Sequence, residues 1–171
     1  MISKPKNLTR KDRKEMDHPF RGIYTQENDD LFASLMARYP TAIATLETAL
    51  SLYGITDSFV TAPYFLSFNI GYRPVNDDRI FQIWENKKTR LLGTVAMERE
   101  GVSFQCYDKE RLLLELFRRE KIIATEAFQA AIFHYRKLAN EGKLNLPKIR
   151  EYCEKLPKGK LYRERIRREI L

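Results

Sequence analysis

The stretch Val102 to Arg119, VSFQCYDKERLLLELFRR, constrains this chain more than any other. Val102, Phe104 and Cys106 alternate with Ser103, Gln105 and Tyr107, the period-two pattern of a strand. Beyond Asp108, the residues Leu112, Leu113, Leu116 and Phe117 recur at helical spacing. Lys109, Glu110, Arg118 and Arg119 mark the opposite, wet side. Asp108 suits the N-cap, because its carboxylate accepts a first-turn N–H. Arg111 stands where a capping box has Glu or Gln, so the cap is incomplete. A strand running straight into a capped helix predicts a core element. Leu112, Leu113, Leu116 and Phe117 are expected to be buried with Phe104, Leu50, Phe128 and Ile132. Arg111 lies one turn into the helix and is expected to find a structural partner, with Glu115 four residues on.

The rest of the chain arranges itself around that element. Residues 1–18 are polar, basic and without periodicity, which predicts a flexible arm. Pro19 to Tyr24 reads as a turn into a short strand. Asn28 or Asp29 is the expected cap of a helix through Arg38, ended by Pro40, since the residue before proline is pushed out of the α region. Thr41 to Tyr53 reads as a second helix, with Ile43, Leu46, Ala49, Leu50 and Tyr53 inward and Gly54 as its stop. Tyr64 to Ile70, Ile80 to Trp84, Arg90 to Met97 and Val102 to Cys106 are β-rich runs separated by turn-formers. The last two predict a hairpin with Glu98 to Gly101 at its tip. Thr125 is expected to cap a helix to about Asn140, packed through Phe128, Ala131, Ile132, Tyr135 and Leu138. Asn145 is expected to cap a shorter one carrying Pro147 in its first turn. Pro157 and Gly159 break it, and Lys160 to Ile170 forms a final basic helix.

Charge enters because its distribution is uneven. The net charge is +8, with +5 in residues 1–14, −3 in 15–142 and +6 in 143–171. Basic ends on a slightly acidic body suit contact with nucleic acid or another polyanion. Lys158, Lys160, Arg163, Arg165, Arg167 and Arg168 are the candidate phosphate contacts, around a stripe of Tyr162, Ile166 and Ile170. A solvated docking helix is the competing reading. No run of about 18 apolar residues is present, so no membrane partner is expected. The N-terminus lacks a signal-peptide core, which places the chain in the cytoplasm. Cys106 and Cys153 then read as buried thiols.

Motifs that carry catalysis are missing. There is no glycine-rich phosphate loop, no GxSxG and no Cys/His cluster with metal-ligand spacing, so no catalytic residue, metal or cofactor is assigned. His18 and His134 have no neighbours suggesting a catalytic pair. Asp77-Asp78 and Glu85-x-Lys87 could gather at strand ends around a metal, as in nucleases, and this requires Asp78, Glu85 and Lys87 to converge. Turn-forming aspartates and a charged hairpin tip are the plainer reading.

The runs TALSLYGITD (Thr48 to Asp57) and YDKERLLLELFRR (Tyr107 to Arg119), with the β-rich region between them, resemble the AbiEi family of bacterial antitoxins and transcriptional regulators. The stretch 124–156, ending in LPKIREYCEKL, is similar to the family's leucine-then-EYA-like segment, and RGIYT and ARYPTAIATLETAL fit as well. The match covers roughly residues 20–157. The resemblance implies a type IV toxin–antitoxin system, whose antitoxin opposes a nucleotidyltransferase-like toxin without needing to bind it. It also implies autorepression through an N-terminal winged helix–turn–helix, with antitoxicity residing largely in the C-terminal domain. This chain begins where that DNA-binding domain would be ending, so the domain is expected to be missing, with the arm Lys4 to Lys14 in its place. Tyr53 stands where the family often has histidine, and Glu115 where aspartate is usual.

The resulting expectation is one mixed α/β (α+β) domain over 19–171 after the basic arm 1–18. It has N-terminal helices, a small and mostly antiparallel sheet, and a helical C-terminal half. Asp108, Arg111 and Glu115 form its structural motif. The expected function is a non-enzymatic antitoxin and regulator of its own operon, with a nucleotidyltransferase-like toxin as functional partner and DNA as a further one. The alternatives are a nucleic-acid-binding accessory protein and a metal-dependent nuclease.

Overall fold

A computed structural model describes residues 17–20, 23–25, 30–56 and 59–171, the first two segments as backbone only. The described residues hold seven α-helices and a mixed five-stranded sheet, an α+β architecture. The predicted arm falls outside them except for Asp17 and His18, which begin a strand. The chain divides into two compact units. One runs to Ala42 and includes Ala96–Gln105; the other comprises Ile43–Val95 and Cys106–Leu171.

In the first unit, β1 (Asp17–Phe20) and β2 (Ile23–Thr25) form an antiparallel ribbon that α1 (Leu31–Arg38) contacts. The cap of α1 is Asp30 rather than Asn28 or Asp29: its carboxylate accepts the Ala33 N–H at 3.0 Å. The same carboxylate pairs with Arg99 at 2.6 Å, and Phe32 meets Phe104 edge-on at 5.2 Å.

The second unit opens with a departure from the expected helix over 41–53. Ile43–Ala44 is a strand, β3, and only Leu46–Leu52 is helical, as α2. The junction residue Leu46 has a φ of 46°, a left-handed conformation that a bulky side chain adopts only when its surroundings impose it. Ile43, Leu46, Ala49 and Leu50 are all fully buried, so the apolar spacing came from a strand and a helix sharing one core. Gly54, at φ 62°, ends α2 as expected.

Beyond it lie β4 (Tyr64–Asn69), β5 (Ile80–Glu85), the single turn α3 (Lys87–Arg90), β6 (Thr94–Arg99) and β7 (Val102–Tyr107). The expected strand over 90–97 thus starts four residues late, because Asn86 caps α3 through the Lys88 N–H at 3.0 Å. The sheet order is β5-β4-β3-β7-β6. β3 pairs antiparallel with β4, but β4 and β5 run parallel from Tyr64↔Ile80 to Asn69↔Glu85, so the sheet is mixed. The β6–β7 hairpin turns through Glu100 and Gly101, both with positive φ, as a two-residue I′ connection requires.

The helical half follows: α4 (Lys109–Arg118), a 3-10 turn (Glu120–Ile122), α5 (Thr125–Asn140), α6 (Leu146–Lys155) and α7 (Gly159–Glu169). α4 packs against α2, α6 and α7. It is buried on nearly every side: Arg111, Leu114 and Glu115 join the predicted apolar face below 2% exposure, and Arg118 is not on a wet side at all. Thr125 is the first residue of α5, not its cap. The cap position is Ala124, whose N–H donates to the Glu47 carboxylate at 2.8 Å. Phe128 is only half-buried, with its ring 6.0 Å from Phe117. Asn145 caps α6 as expected, accepting the Lys148 N–H at 3.1 Å.

Candidate functional site

Asp108, at the junction of β7 and α4, gathers partners from three parts of the second unit: the turn at Gly93, α4 and α6. Its N–H donates to the Gly93 carbonyl at 2.7 Å. One carboxylate oxygen accepts the Arg111 N–H at 2.8 Å, closing the helix cap. The other accepts the Tyr152 hydroxyl and pairs with the Lys148 ammonium, each at 2.8 Å. Next to it, the Tyr53 hydroxyl donates to the Tyr107 carbonyl at 3.0 Å, and Lys109 lies over the Tyr53 ring. Tyr135, fully buried on α5, donates its hydroxyl to the Lys109 carbonyl at 2.8 Å. Gly93 closes this knot. At φ 74° its position would put a Cβ 2.6 Å from that of Arg111 and 3.0 Å from the Tyr152 ring, so only glycine fits.

The environment keeps the Tyr53 and Tyr152 phenols, the Cys106 thiol and the Lys148 ammonium protonated. Burial pushes the Tyr152 phenol up to about 12, aided by the hydrogen bond it donates to Asp108. Burial raises the Tyr53 phenol further still, and it lifts the Cys106 thiol to about 12, far from the thiolate a nucleophile needs. Lys148 is raised by its hydrogen bond to Asp108 and stays charged.

One turn into α4 a second group begins. Arg111, with 0% of its side chain exposed, donates Nε to Glu115 at 2.8 Å and Nη1 to the carbonyls of Thr89 and Leu92 at 2.9 and 3.2 Å. Its guanidinium lies 4.7 Å from the Tyr107 ring centroid and 3.7 Å from the Glu85 carboxylate. Glu85, at the end of β5, accepts from Arg118 at 2.9 Å, from Arg119 at 3.3 Å and from the Thr89 hydroxyl at 2.9 Å. Arg118 also bonds Glu115. Three guanidiniums and two carboxylates thus share one largely dry space. Burial alone would raise the Glu85 carboxyl, but Arg118, Thr89 and Arg111 reverse this and hold it at about 2. Glu85 is therefore ionised and fully engaged, with no free lone pair to offer a metal or a proton.

Asp108, Arg111 and Glu115 thus come together as the sequence predicts, and Arg111 finds Glu115. The nuclease constellation does not assemble. Asp78 and Glu85 sit at opposite ends of β5, roughly 20 Å of strand apart. Asp77 is held by Arg79 at 2.7 Å, Lys87 is exposed, and the guanidiniums around Glu85 would repel a cation. No group of three or more metal-ligating side chains occurs among the described residues. His134 is half-buried on α5, its pKa lowered by burial and by Lys109 and Lys137.

The tail cations divide. Arg165 pairs with Glu120 at 2.7 Å and Glu169 at 3.0 Å and lies over the Phe117 ring, which makes it part of the core's lid. Arg168 pairs with Glu169 at 3.1 Å while 75% exposed. Lys158, Lys160, Arg163 and Arg167 are exposed. The expected stripe on α7 is buried through Ile166 and Ile170, with Tyr162 half-buried.

Sequence reasoning missed Glu85, Arg118, Gly93 and Tyr152 as members of these groups. Only Arg118 carried a local signal, standing three residues from Glu115. No helix among the described residues is long and apolar enough to cross a membrane. No protein-family model matches the chain, and no curated protein matches it.

Proposed function

We propose that this chain is an AbiEi-like antitoxin of a type IV toxin–antitoxin system. The observation that carries the reading is the convergence on Asp108. TALSLYGITD supplies Tyr53, YDKERLLLELFRR supplies Tyr107, Asp108 and Arg111, and LPKIREYCEKL supplies Lys148 and Tyr152. These three runs are far apart in sequence, and they meet here: Tyr152 and Lys148 bind the Asp108 carboxylate, and Tyr53 donates to the backbone carbonyl of the preceding residue, Tyr107. Tyr53, where the family often has histidine, still offers a hydrogen-bond donor. Glu115, where aspartate is usual, keeps the carboxylate that Arg111 requires.

On this reading the domain is cytoplasmic and non-enzymatic, and it counters a nucleotidyltransferase-like toxin functionally rather than by forming a tight complex. A role in regulating its own operon belongs to the same reading. The test is genetic. The gene beside this one is expressed from an inducible promoter with and without this chain. Growth arrest by the neighbour alone and recovery on co-expression are expected. A neighbour that is not nucleotidyltransferase-like, or arrest that persists at equal levels of folded chain, overturns the proposal.

A further inference from the structure

The tail's charges are sorted by their partners, and the sorted set forms a pattern the sequence did not contain. Arg165 is bound by Glu120, Glu169 and Phe117. Lys160, Arg163 and Arg167 fall at i, i+3 and i+7 of α7, which places them on one face over about 10 Å of helix. All three are exposed, and no carboxylate among the described residues pairs with them. Arg150 on α6 is exposed too and stands across a cleft of about 280 Å³ lined also by Arg163 and Arg167. An adjoining cleft of about 520 Å³ is lined by Arg163 again, with Lys158 and Lys160. Arg163 joins the two. Five cations line them against two carboxylates, Glu154 and Glu164.

We infer that this face of α6 and α7 binds the sugar–phosphate backbone of a nucleic acid. The evidence is independent of the antitoxin reading. Unpaired cations in a line match a polymer with a regularly repeated negative charge, and their counterions are released when it binds. No aromatic side chain lines either cleft, so stacking on unpaired bases is not offered there. Backbone contact without base readout carries little sequence preference. An acidic peptide fits less well. Of the apolar lining, Ile149 and Ile166 in the first cleft and Cys153 and Leu156 in the second are at most 5% exposed and give an anchoring side chain little to grip, which leaves Leu146 and Leu171 as the exposed apolar residues.

The test compares the full-length chain with two triple variants in binding to a labelled duplex DNA and to RNA of the same sequence, across a salt series. The first variant carries Lys160→Gln, Arg163→Gln and Arg167→Gln. The second removes three charges that the structure shows in ion pairs, with Lys143→Gln, Lys155→Gln and Arg168→Gln. The N-terminal cations remain in every version, and circular dichroism confirms that each is folded. The first variant should lose affinity about tenfold or more at moderate salt, with its log–log salt slope shallower by about 2–3 units. The second should lose clearly less. Binding of either nucleic acid with that difference supports the inference, and the ratio of the DNA and RNA affinities identifies the source of the backbone. Equal losses in the two variants, an unchanged slope, or binding to polyglutamate but to neither nucleic acid overturns it.

Discussion

Arg111 and Arg163 carry the same guanidinium and meet opposite fates. Arg111 is surrounded by α4's neighbours; Nε donates to Glu115 and Nη1 to two backbone carbonyls, while Nη2, which has no hydrogen-bond partner of its own, lies in ion-pair range of Glu115 and Glu85, so most of the hydration it loses is replaced. Arg163 has no such set of acceptors and keeps its water on the outer face of α7. What separates them is not charge density, since both stand in arginine-rich runs. It is whether β5 and the turn after it bring acceptors to the helix. A guanidinium can be buried because its fixed fork of donors can be fully satisfied. Where that supply is missing, the same group remains free for an outside anion.

The comparison breaks most sharply at Arg111. Arg111→Ala leaves Glu85 and Glu115 short of a buried cation, and removing one partner from such a group costs about 3–5 kcal/mol. Chemical denaturation of the variant checks this; a loss under about 0.5 kcal/mol, the range of ordinary surface changes, would mean the group is not a structural core.

A similar but smaller effect comes from acid. Glu85 keeps its proton off down to about 2 when folded, against 4.5 as its ordinary value. Between those limits the unfolded chain binds more protons, so stability is present above pH 4.5 and is lost as pH falls toward 2. The loss should be on the order of 3 kcal/mol by the pKa difference. Thermal unfolding from pH 6 to pH 2.5, set beside Glu85→Gln, measures it: the variant should begin less stable and show a flatter pH dependence.

The smallest effects sharpen the division within α7. Arg165→Gln removes two ion pairs and a ring contact at a partly exposed site, with an expected cost of about 1 kcal/mol. Arg163→Gln should change stability by less than about 0.5 kcal/mol, having no partner to lose. Equal costs at the two positions would show that the sorting of tail cations has no energetic counterpart.

Much of the secondary structure was legible because it rests on neighbours in sequence. Asp108 and Asn145 announce helix starts because a short polar side chain reaches an N–H three residues on. Gly54 and Gly101 announce stops and turns because they accept positive φ. The site was less legible. Arg111 with Glu115 could be read from their four-residue spacing, but Glu85 looked like a hairpin carboxylate and Tyr152 like one more aromatic on an amphipathic helix. The parallel pairing of β4 with β5 left no trace, since both runs are short and apolar in either arrangement.

Sequence alone therefore determined the capped helix that follows a strand, the hairpin through Glu100 and Gly101, and the excess of positive charge at the C-terminal end. Tertiary structure alone decided that Ile43 and Ala44 leave the helix for a strand beside β4, and that Glu85 crosses to Arg118, 33 residues away. It also decided which tail cations are neutralised and which stay free. The physical reason is one of range. Caps and turns are closed by bonds across a few residues, whereas the fate of a charge depends on the water it loses and the partners that packing brings to replace it.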